Sequence, residues 1–222
     1  MKKINIAIDG PSAAGKSTIA DVLSERLGYT HLDTGAMYRA VALNAVRKEI
    51  ALDDEENIVA MIADMKLEML SDGSVILEGE DVSEAIRTDE ISMAASDVSK
   101  LEGCRSALVA MQQKICEAGG YILDGRDIGT VVLKDAPVKI YLVATPEARA
   151  ERRVKQNLEK GLEADYETIL EDIIKRDYQD THREHSPLTK AEDAIEIDTS
   201  YMSIDEVADA VMEIVESCLG EE

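Results

Sequence analysis

Apolar residues recur along this chain with two different periods, and the alternation between the periods predicts strands that alternate with helices. Short strands are predicted at five places, which are 3–8, 29–32, 121–124, 138–144 and 194–197. Between them, apolar residues return every three or four positions, which is the period of a helix with one buried face. Five strands separated by helices predict an α/β protein with a doubly wound, five-stranded parallel sheet flanked by helices.

Residues with strong capping preferences mark where several helices begin and end. Gly28 closes the first helix, Thr145 and Pro146 open another, and Ser203 with Glu206 forms a capping box for the last one. Helices are predicted at about 16–27, 33–46 with its capping turn, 53–65, 88–101, 103–118, 146–160, 164–182 and 204–219.

One stretch departs from the alternation of strands and helices. Two short apolar runs, 66–70 and 74–78, flank the turn Ser71-Asp72-Gly73, which predicts a β-hairpin. A hairpin between helices interrupts a parallel fold, so residues 64–100 are predicted to form an inserted lobe. The core domain then comprises 1–63 and 101–222.

The charge of the chain limits the partners it can have. It carries 46 acidic residues against 24 lysines and arginines, which gives a formal net charge of −22. Such a surface repels nucleic-acid backbones, so any phosphate must be bound locally by backbone N–H groups and clustered arginines. No apolar run suits a signal peptide or a membrane span, and three cysteines do not make a disulfide framework. A cytoplasmic protein with no membrane or nucleic-acid partner and no structural metal is expected.

A phosphate-binding motif follows the first strand. The segment from Gly10 to Ser17 fits G-x-x-x-x-G-K-[ST], with a predicted strand before it and a predicted helix after it. In this motif the lysine, Lys16, reaches the β- and γ-phosphates of a nucleotide, and the hydroxyl of Ser17 coordinates Mg²⁺. The predicted ATP-binding residues are Gly10, Pro11, Ser12, Ala13, Ala14, Gly15, Lys16, Ser17 and Thr18.

Other charged residues indicate phosphoryl transfer to a small molecule. Asp124 and Arg126 follow an apolar strand, where the aspartate can hold Mg²⁺ through water and the arginine can contact phosphate. The guanine-reading motif N-K-x-D of switch GTPases is absent from the sequence. Arginines also gather on the charged helices, at 149, 152 and 153 and at 176 and 183. For Arg149 the expected role is a salt bridge on a solvated helix face, with Glu147, Glu151, Asp177 or Asp180 as its partner.

Longer segments resemble one family over essentially the full chain. They are 8–18, 32–39 (L-D-T-G-A-M-Y-R), 76–82, 86–88, 94–96, 124–132 (D-G-R-D-I-G-T-V-V), 135–140 and R-D-x-x-D-x-x-R at 176–183. Together they resemble the bacterial cytidylate kinases, which are nucleoside monophosphate kinases with a P-loop NTPase fold. The resemblance implies transfer of the γ-phosphoryl group of ATP, with Mg²⁺, to CMP or dCMP. The inserted lobe then corresponds to the extra substrate-binding domain of this family, and a lid at about 157–165 closes over ATP.

The same resemblance implies roles for individual residues. Ser96 and Asp127 contact the cytosine, with Arg105 beside them, and Asp180 meets the ribose hydroxyls with Arg176 close by. The acceptor phosphate and sugar are surrounded by Thr34, Arg39, Arg126 and Arg183, while Asp33 and Tyr38 shape the turn. The catalytic residues it implies are Lys16, Arg126, Arg152 and Arg153, and the metal site is Ser17 with Asp124.

Three other functions stay open on the sequence alone. A related kinase would share the P-loop but lack the inserted lobe and prefer another acceptor. A nucleotide-dependent switch would bind nucleotide without consuming a second small molecule, and a structural protein with a vestigial P-loop would not bind ATP. A monomer is expected, because no extended apolar stripe remains beyond the predicted core.

Overall fold

The computed structural model describes residues 3–70, 72–159, 161 and 163–220. The main sheet has five parallel strands, which are β1 Ile6–Asp9, β2 Thr30–Asp33, β6 Tyr121–Gly125, β7 Val138–Val143 and β8 Ile195–Asp198. Their order across the sheet is β2-β6-β1-β7-β8. The predicted five-stranded parallel sheet is confirmed, and the strand ends lie within a few residues of the predicted ones.

Helices connect these strands, and their bounds also lie close to the predicted ones. They are α1 Lys16–Leu27, α2 Thr34–Arg47, α3 Glu55–Asp64, α4 Asp89–Val98, α5 Glu102–Cys116, α6 Pro146–Glu159, α7 Tyr166–His182 and α8 Ile204–Gly220. The capping box is formed, since Ser203 Oγ accepts from Glu206 N while the Glu206 carboxylate accepts from Ser203 N. Within the described part of the chain, none of the helices is both long enough and apolar enough to cross a membrane.

Each face of the main sheet is covered by its own set of helices. Ile6, Ile8 and Ile140 point to the face on which α1 and α8 pack, and Ala7 and Leu123 point to the opposite face, towards α2 and α5. This alternation follows the two-residue period of a strand. It makes the fold a doubly wound α/β structure, as predicted.

The predicted hairpin is confirmed as part of a small second sheet. Strands β3 Leu67–Met69, β4 Val75–Leu77 and β5 Glu80–Asp81 pair antiparallel in that order. Ser71, in the predicted turn, lies outside the described residues. Buried side chains of β4 and α4 join the same hydrophobic cluster as those of α2. The division into a core and a lobe at 64–100 stays a prediction.

The predicted lid at 157–165 comprises the end of α6 and the connection to α7. Lys160 and Leu162 in that connection lie outside the described residues. The lid therefore also stays a prediction.

Gly10 lies where β1 turns into the phosphate-binding loop, and its environment predicts a large loss of stability on substitution. Its φ is +148°, and a Cβ there would lie 2.1 Å from the carbonyl oxygen of Leu142 in β7. We expect Gly10→Ala to lower the free energy of unfolding by about 3 kcal/mol or more. The alanine would be strained at this φ, and the backbone at Leu142 would also have to move to make room for its Cβ. Chemical denaturation of the two proteins measures this difference.

Gly28 provides the matched control for that substitution. It ends α1 at φ +63°, and a Cβ there meets nothing within 4 Å. Gly28→Ala should therefore cost only about 1 kcal/mol, the strain of the left-handed conformation. Equal losses for the two variants would contradict the steric argument.

Candidate active site

The loop between β1 and α1 has the shape of an anion site. Gly15 precedes the helix with no side chain capping its N-terminus, so the first N–H groups of α1 point into the loop. Lys16 folds back over the loop, and its Nζ donates to the carbonyl of Pro11 at 2.7 Å. Burial, assisted by the charge of Arg126, lowers the pKa of Lys16 to about 7. The lysine is thus held inside the loop, where a phosphate would contact it.

A row of hydrogen-bonded side chains fixes the carboxylate of Asp124, near the end of β6. Asp124 Oδ2 accepts from Ser17 Oγ at 2.8 Å, and Asp124 Oδ1 lies 2.8 Å from Nε2 of His31. The other ring nitrogen of His31 lies 2.7 Å from Asp21 Oδ1. Burial alone would lower the pKa of His31, but the hydrogen bonds to Asp124 and Asp21 raise it to about 10. Burial alone would likewise raise the pKa of Asp124, but the hydrogen bond and charge of His31, together with Lys16 and Ser17, lower it and hold the group ionised.

His31 is a site residue that the sequence analysis missed. Its only sequence signal is its place two residues before the carboxyl end of β2, the strand that pairs with β6. Parallel strands bring their carboxyl ends to one edge of a sheet, where ligands bind in such folds.

Ser17 and Asp124 together fit a magnesium ion. Both offer hard oxygen donors, and Asp124 is ionised in this environment. Among the described residues there is no group of three or more acidic, histidine or cysteine side chains that could enclose a metal. The pair therefore suits Mg²⁺, which keeps few protein ligands and completes its shell with phosphate oxygens and water.

One cavity of about 230 Å³ brings together most of the predicted site residues. Its lining includes Ser12, Ala13, Lys16, Ser17, Asp33, Thr34, Arg39, Ser96, Arg105, Asp124, Arg126, Asp127, Arg153, Arg176, Asp180 and Arg183. Seven of its side chains are cationic and four are carboxylates, although the protein as a whole carries a net charge of −22. The cavity is thus a local site for anions in an otherwise acidic molecule.

Several arginines in this cavity keep donors free for a ligand. Arg126 Nε donates to Asp180 Oδ2 at 2.7 Å, and Arg39 Nη2 donates to Asp33 Oδ2 at 2.8 Å. The Nε atoms of Arg39, Arg153 and Arg176 are buried without a partner among the described residues. Burial, with Arg126 nearby, lowers the pKa of Arg176 to about 10, so the group stays charged at neutral pH. Unsatisfied guanidinium donors of this kind match phosphate oxygens.

The far end of the cavity has a different chemistry. Arg105 pairs with Asp127 and donates to the carbonyl of Ser99 at 3.2 Å, and its guanidinium lies 5.6 Å from the ring centroid of Tyr38. Ser96 also lines this end. An aromatic ring, a carboxylate and a guanidinium placed together suit a planar polar group such as a nucleobase.

Asp9 is a second residue that sequence analysis missed. Its carboxylate accepts from the backbone N–H groups of Ile128 at 2.8 Å and of Gly129 at 2.7 Å, in the short π-helical turn Ile128–Val132. Burial raises the pKa of Asp9 to about 6, against these two hydrogen bonds. The contacts tie the segment that follows Arg126 and Asp127 to β1, so Asp9 holds both residues in place.

The three arginines of α6 occupy three different environments. Arg153 lines the main cavity, whereas Arg152 donates to Thr199 and lines a neighbouring cavity of about 620 Å³ beside the phosphate-binding loop. Arg149 pairs with Asp177, one of its expected partners, but the expected solvated position is wrong because Arg149 is only 2% exposed. Its guanidinium is buried against the loop itself.

The remaining predicted residues differ in how they take part in the site. Thr34 Oγ1 donates to the carbonyl of Asp124 at 2.7 Å, which fixes the start of α2 to the end of β6. Gly10 and Pro11 do not line the two cavities, whereas Ala14, Gly15 and Thr18 line the second one.

Comparisons with known proteins agree on the family. The model of the cytidylate kinase family matches residues 6–217. The cytidylate kinase of Bacillus subtilis strain 168 is 50% identical over 218 residues, which are 97% of each chain. That of Caldicellulosiruptor bescii is 52% identical over 217 residues, or 96% of each chain.

A solved structure supports the fold at much lower identity. The shikimate kinase of Bacteroides thetaiotaomicron superposes with a TM-score of 0.50 at 12% identity, covering 96% of this chain and 98% of that one. This likeness shows a shared P-loop kinase fold. With a family model that spans nearly the whole chain and named relatives identical at half of its positions, this chain belongs to the cytidylate kinase family.

Proposed function

We propose that this chain transfers the γ-phosphoryl group of ATP to CMP or dCMP, giving ADP and CDP or dCDP. The observation that carries the proposal is one cavity in which the P-loop lysine faces a group of arginines and a base-sized polar end. A donor held by the loop and an acceptor held by the arginines would meet in that cavity. Phosphoryl transfer depends mainly on such positioning and on positive charge around the phosphoryl oxygens.

The phosphate-binding loop is the proposed site of ATP. The N–H groups at the start of α1 and Lys16 would bind its phosphates. The neighbouring cavity, which Arg152 and Met202 line with residues 13–19, offers room for the nucleoside part. Ser17 and Asp124 would hold Mg²⁺, with Asp124 acting through water. When bound, Mg²⁺ neutralises charge on the phosphate oxygens.

The acceptor would lie along the arginine side of the cavity. Arg39, Arg126 and Arg183 would surround its phosphate, and Asp180 with Arg176 would contact the ribose. At the far end, the carboxylate of Asp127 can accept from the exocyclic amino group of cytosine, whereas uracil carries a carbonyl oxygen at that position. Ser96 and Arg105 would complete this base site. A reversal of donor and acceptor at one atom is enough to discriminate strongly between bases.

The chemistry needs no general base in this site. The attacking group is a phosphate oxygen of the acceptor, which is already ionised at neutral pH. It forms a bond to the γ-phosphorus of ATP while the bond to the bridging oxygen of ADP breaks. Lys16, Arg126 and Arg153 would supply positive charge where negative charge develops on the phosphate oxygens. Closure of the lid at 157–165 would exclude water.

The proposed function includes the place where the enzyme works and the partners it has. The enzyme is proposed to work in the cytoplasm, where ATP and CMP are available. It is proposed to act as a monomer on small nucleotides, with no membrane or nucleic-acid partner, and its net charge of −22 disfavours nucleic acid.

ADP release from ATP and Mg²⁺, with and without CMP, tests this function. We expect CMP to raise the rate by about a hundredfold or more, because water is a poor acceptor in a site built around a second phosphate. A rate that ignores CMP would favour a nucleotide switch. No binding of ATP would favour a vestigial P-loop, and either result would contradict the proposal.

A further inference from the structure

Arg149 connects four parts of the molecule through one buried guanidinium. Its Nη1 donates to the carbonyl of Ser12 in the phosphate-binding loop at 3.0 Å, and its Nε donates to the carbonyl of Ala144 after β7 at 3.0 Å. Nη1 and Nη2 also donate to the two carboxylate oxygens of Asp177 on α7, at 3.0 and 2.5 Å. The residue itself belongs to α6 and is 2% exposed.

The contact with Ser12 bears on the geometry of the loop. The next residue, Ala13, has a φ of +59°, a conformation that costs free energy for a residue other than glycine. The C=O and N–H of a trans peptide point in opposite directions, so fixing the carbonyl of Ser12 also fixes where the N–H of Ala13 points. Ser12 and Ala13 both line the main cavity. Arg149 therefore holds the turn from which this N–H group is presented.

The contact with Asp177 bears on the other half of the site. Asp177 follows Arg176 directly and lies one helical turn before Asp180, and both of those residues line the main cavity. The bidentate pair thus links the loop to the helix that carries these two groups. A guanidinium fork can hold a carboxylate and a carbonyl at once, whereas the single ammonium of lysine cannot repeat that geometry.

We propose that Arg149 is a positioning residue, which holds the Ser12–Ala13 peptide in its ATP-binding orientation and is itself held by Asp177. This role differs from those of Arg152 and Arg153, which line the two cavities. The inference rests on the proposed function only in naming ATP as the ligand of the loop.

Calorimetric titration of ATP in the presence of Mg²⁺, into folded variants, tests the proposal. We expect Arg149→Met to raise the Kd for ATP by about tenfold or more, which corresponds to the loss of one charge-assisted contact network. The Kd for CMP should change by less than about threefold, since Arg149 bonds to neither Arg176 nor Asp180, and Asp180 keeps its hydrogen bond from Arg126. Arg149→Lys should recover part of the loss, and Asp177→Asn should show a smaller loss of the same kind.

Arg26→Met provides the control. Arg26 also joins two helices, donating to Asp209 at 2.6 Å, but it lies at the far end of α1. This variant should bind ATP and CMP as the unmodified protein does. An Arg149→Met protein that melts earlier yet binds ATP with unchanged Kd would reduce Arg149 to a stabilising residue and overturn the proposal.

Arg149→Lys and Asp177→Asn keep the test decisive if Arg149→Met does not fold. Unchanged ATP binding by both would equally overturn the proposal. Failure of the proposed function is a separate result, because it would appear as absent CMP-dependent ADP release by the unmodified enzyme.

Discussion

Replacing Lys16 with alanine is expected to lower kcat by about a thousandfold or more while the fold is retained. The ammonium group is held inside the phosphate-binding loop, 2.7 Å from the carbonyl of Pro11, where the transferred phosphoryl group would pass. Charge aimed at that group acts most strongly in the transition state, so the loss should appear in kcat more than in the KM for CMP. Steady-state ADP release at saturating ATP measures it.

The fold should survive because Lys16 contributes little to stability. Burying its charge is unfavourable, as the lowered pKa of about 7 indicates, and its one hydrogen bond within the protein is to a loop carbonyl. Circular dichroism and thermal melting check this. Lys114→Ala, at an exposed site near the end of α5, is the matched control and should leave kcat unchanged. Near-normal turnover by Lys16→Ala would exclude the assigned role.

Arg126→Ala should have the second largest effect, also a loss of about a thousandfold in kcat. Arg126 lies between the two halves of the site, because it directly follows β6, which carries Asp124, and donates to Asp180 on α7 at 2.7 Å. Its guanidinium is therefore placed where the acceptor phosphate and the transferred group would meet. Measurement of kcat and of the KM for CMP separates a loss of chemistry from a loss of binding.

Arg126→Lys is the informative second variant. It keeps the positive charge near Asp180 but loses the planar fork, so we expect it to remain about a hundredfold slower than the unmodified enzyme. Removal of Arg126 leaves Asp180 close to Arg176 and Arg183, whose charges also lower its pKa, and the site should not collapse. Turnover of Arg126→Ala within a few-fold of normal would show that the arginine is dispensable.

Features set by nearby residues were predictable from the sequence. The capping box at Ser203, the hairpin around Gly73 and the P-loop each depend on residues within a few positions, and all three are present. The order of the strands was not predictable, since β2 and β6 are neighbours in the sheet although four α-helices and three strands separate them in the chain. Long-range pairing of this kind leaves no local signal.

The same distinction separates the site residues that were predicted from those that were missed. The D-G-R-D and R-D-x-x-D-x-x-R segments are specific enough to identify, and their side chains do meet in one cavity. Asp9 bonds to Gly129, 120 residues away, and Arg149 bonds to Ser12, 137 residues away. An aspartate after a strand and an arginine on a charged helix have many possible partners. Only the fold identifies which one each of them contacts.

ADP release measured separately with each nucleotide decides whether CMP and dCMP are the acceptors of this enzyme. ATP and Mg²⁺ would be offered with CMP, dCMP, UMP, AMP or GMP. We expect strong turnover with CMP and dCMP, weak turnover with UMP and none with AMP or GMP. Preferred turnover with a purine nucleotide, or none with any acceptor despite ATP binding, would contradict the proposed function.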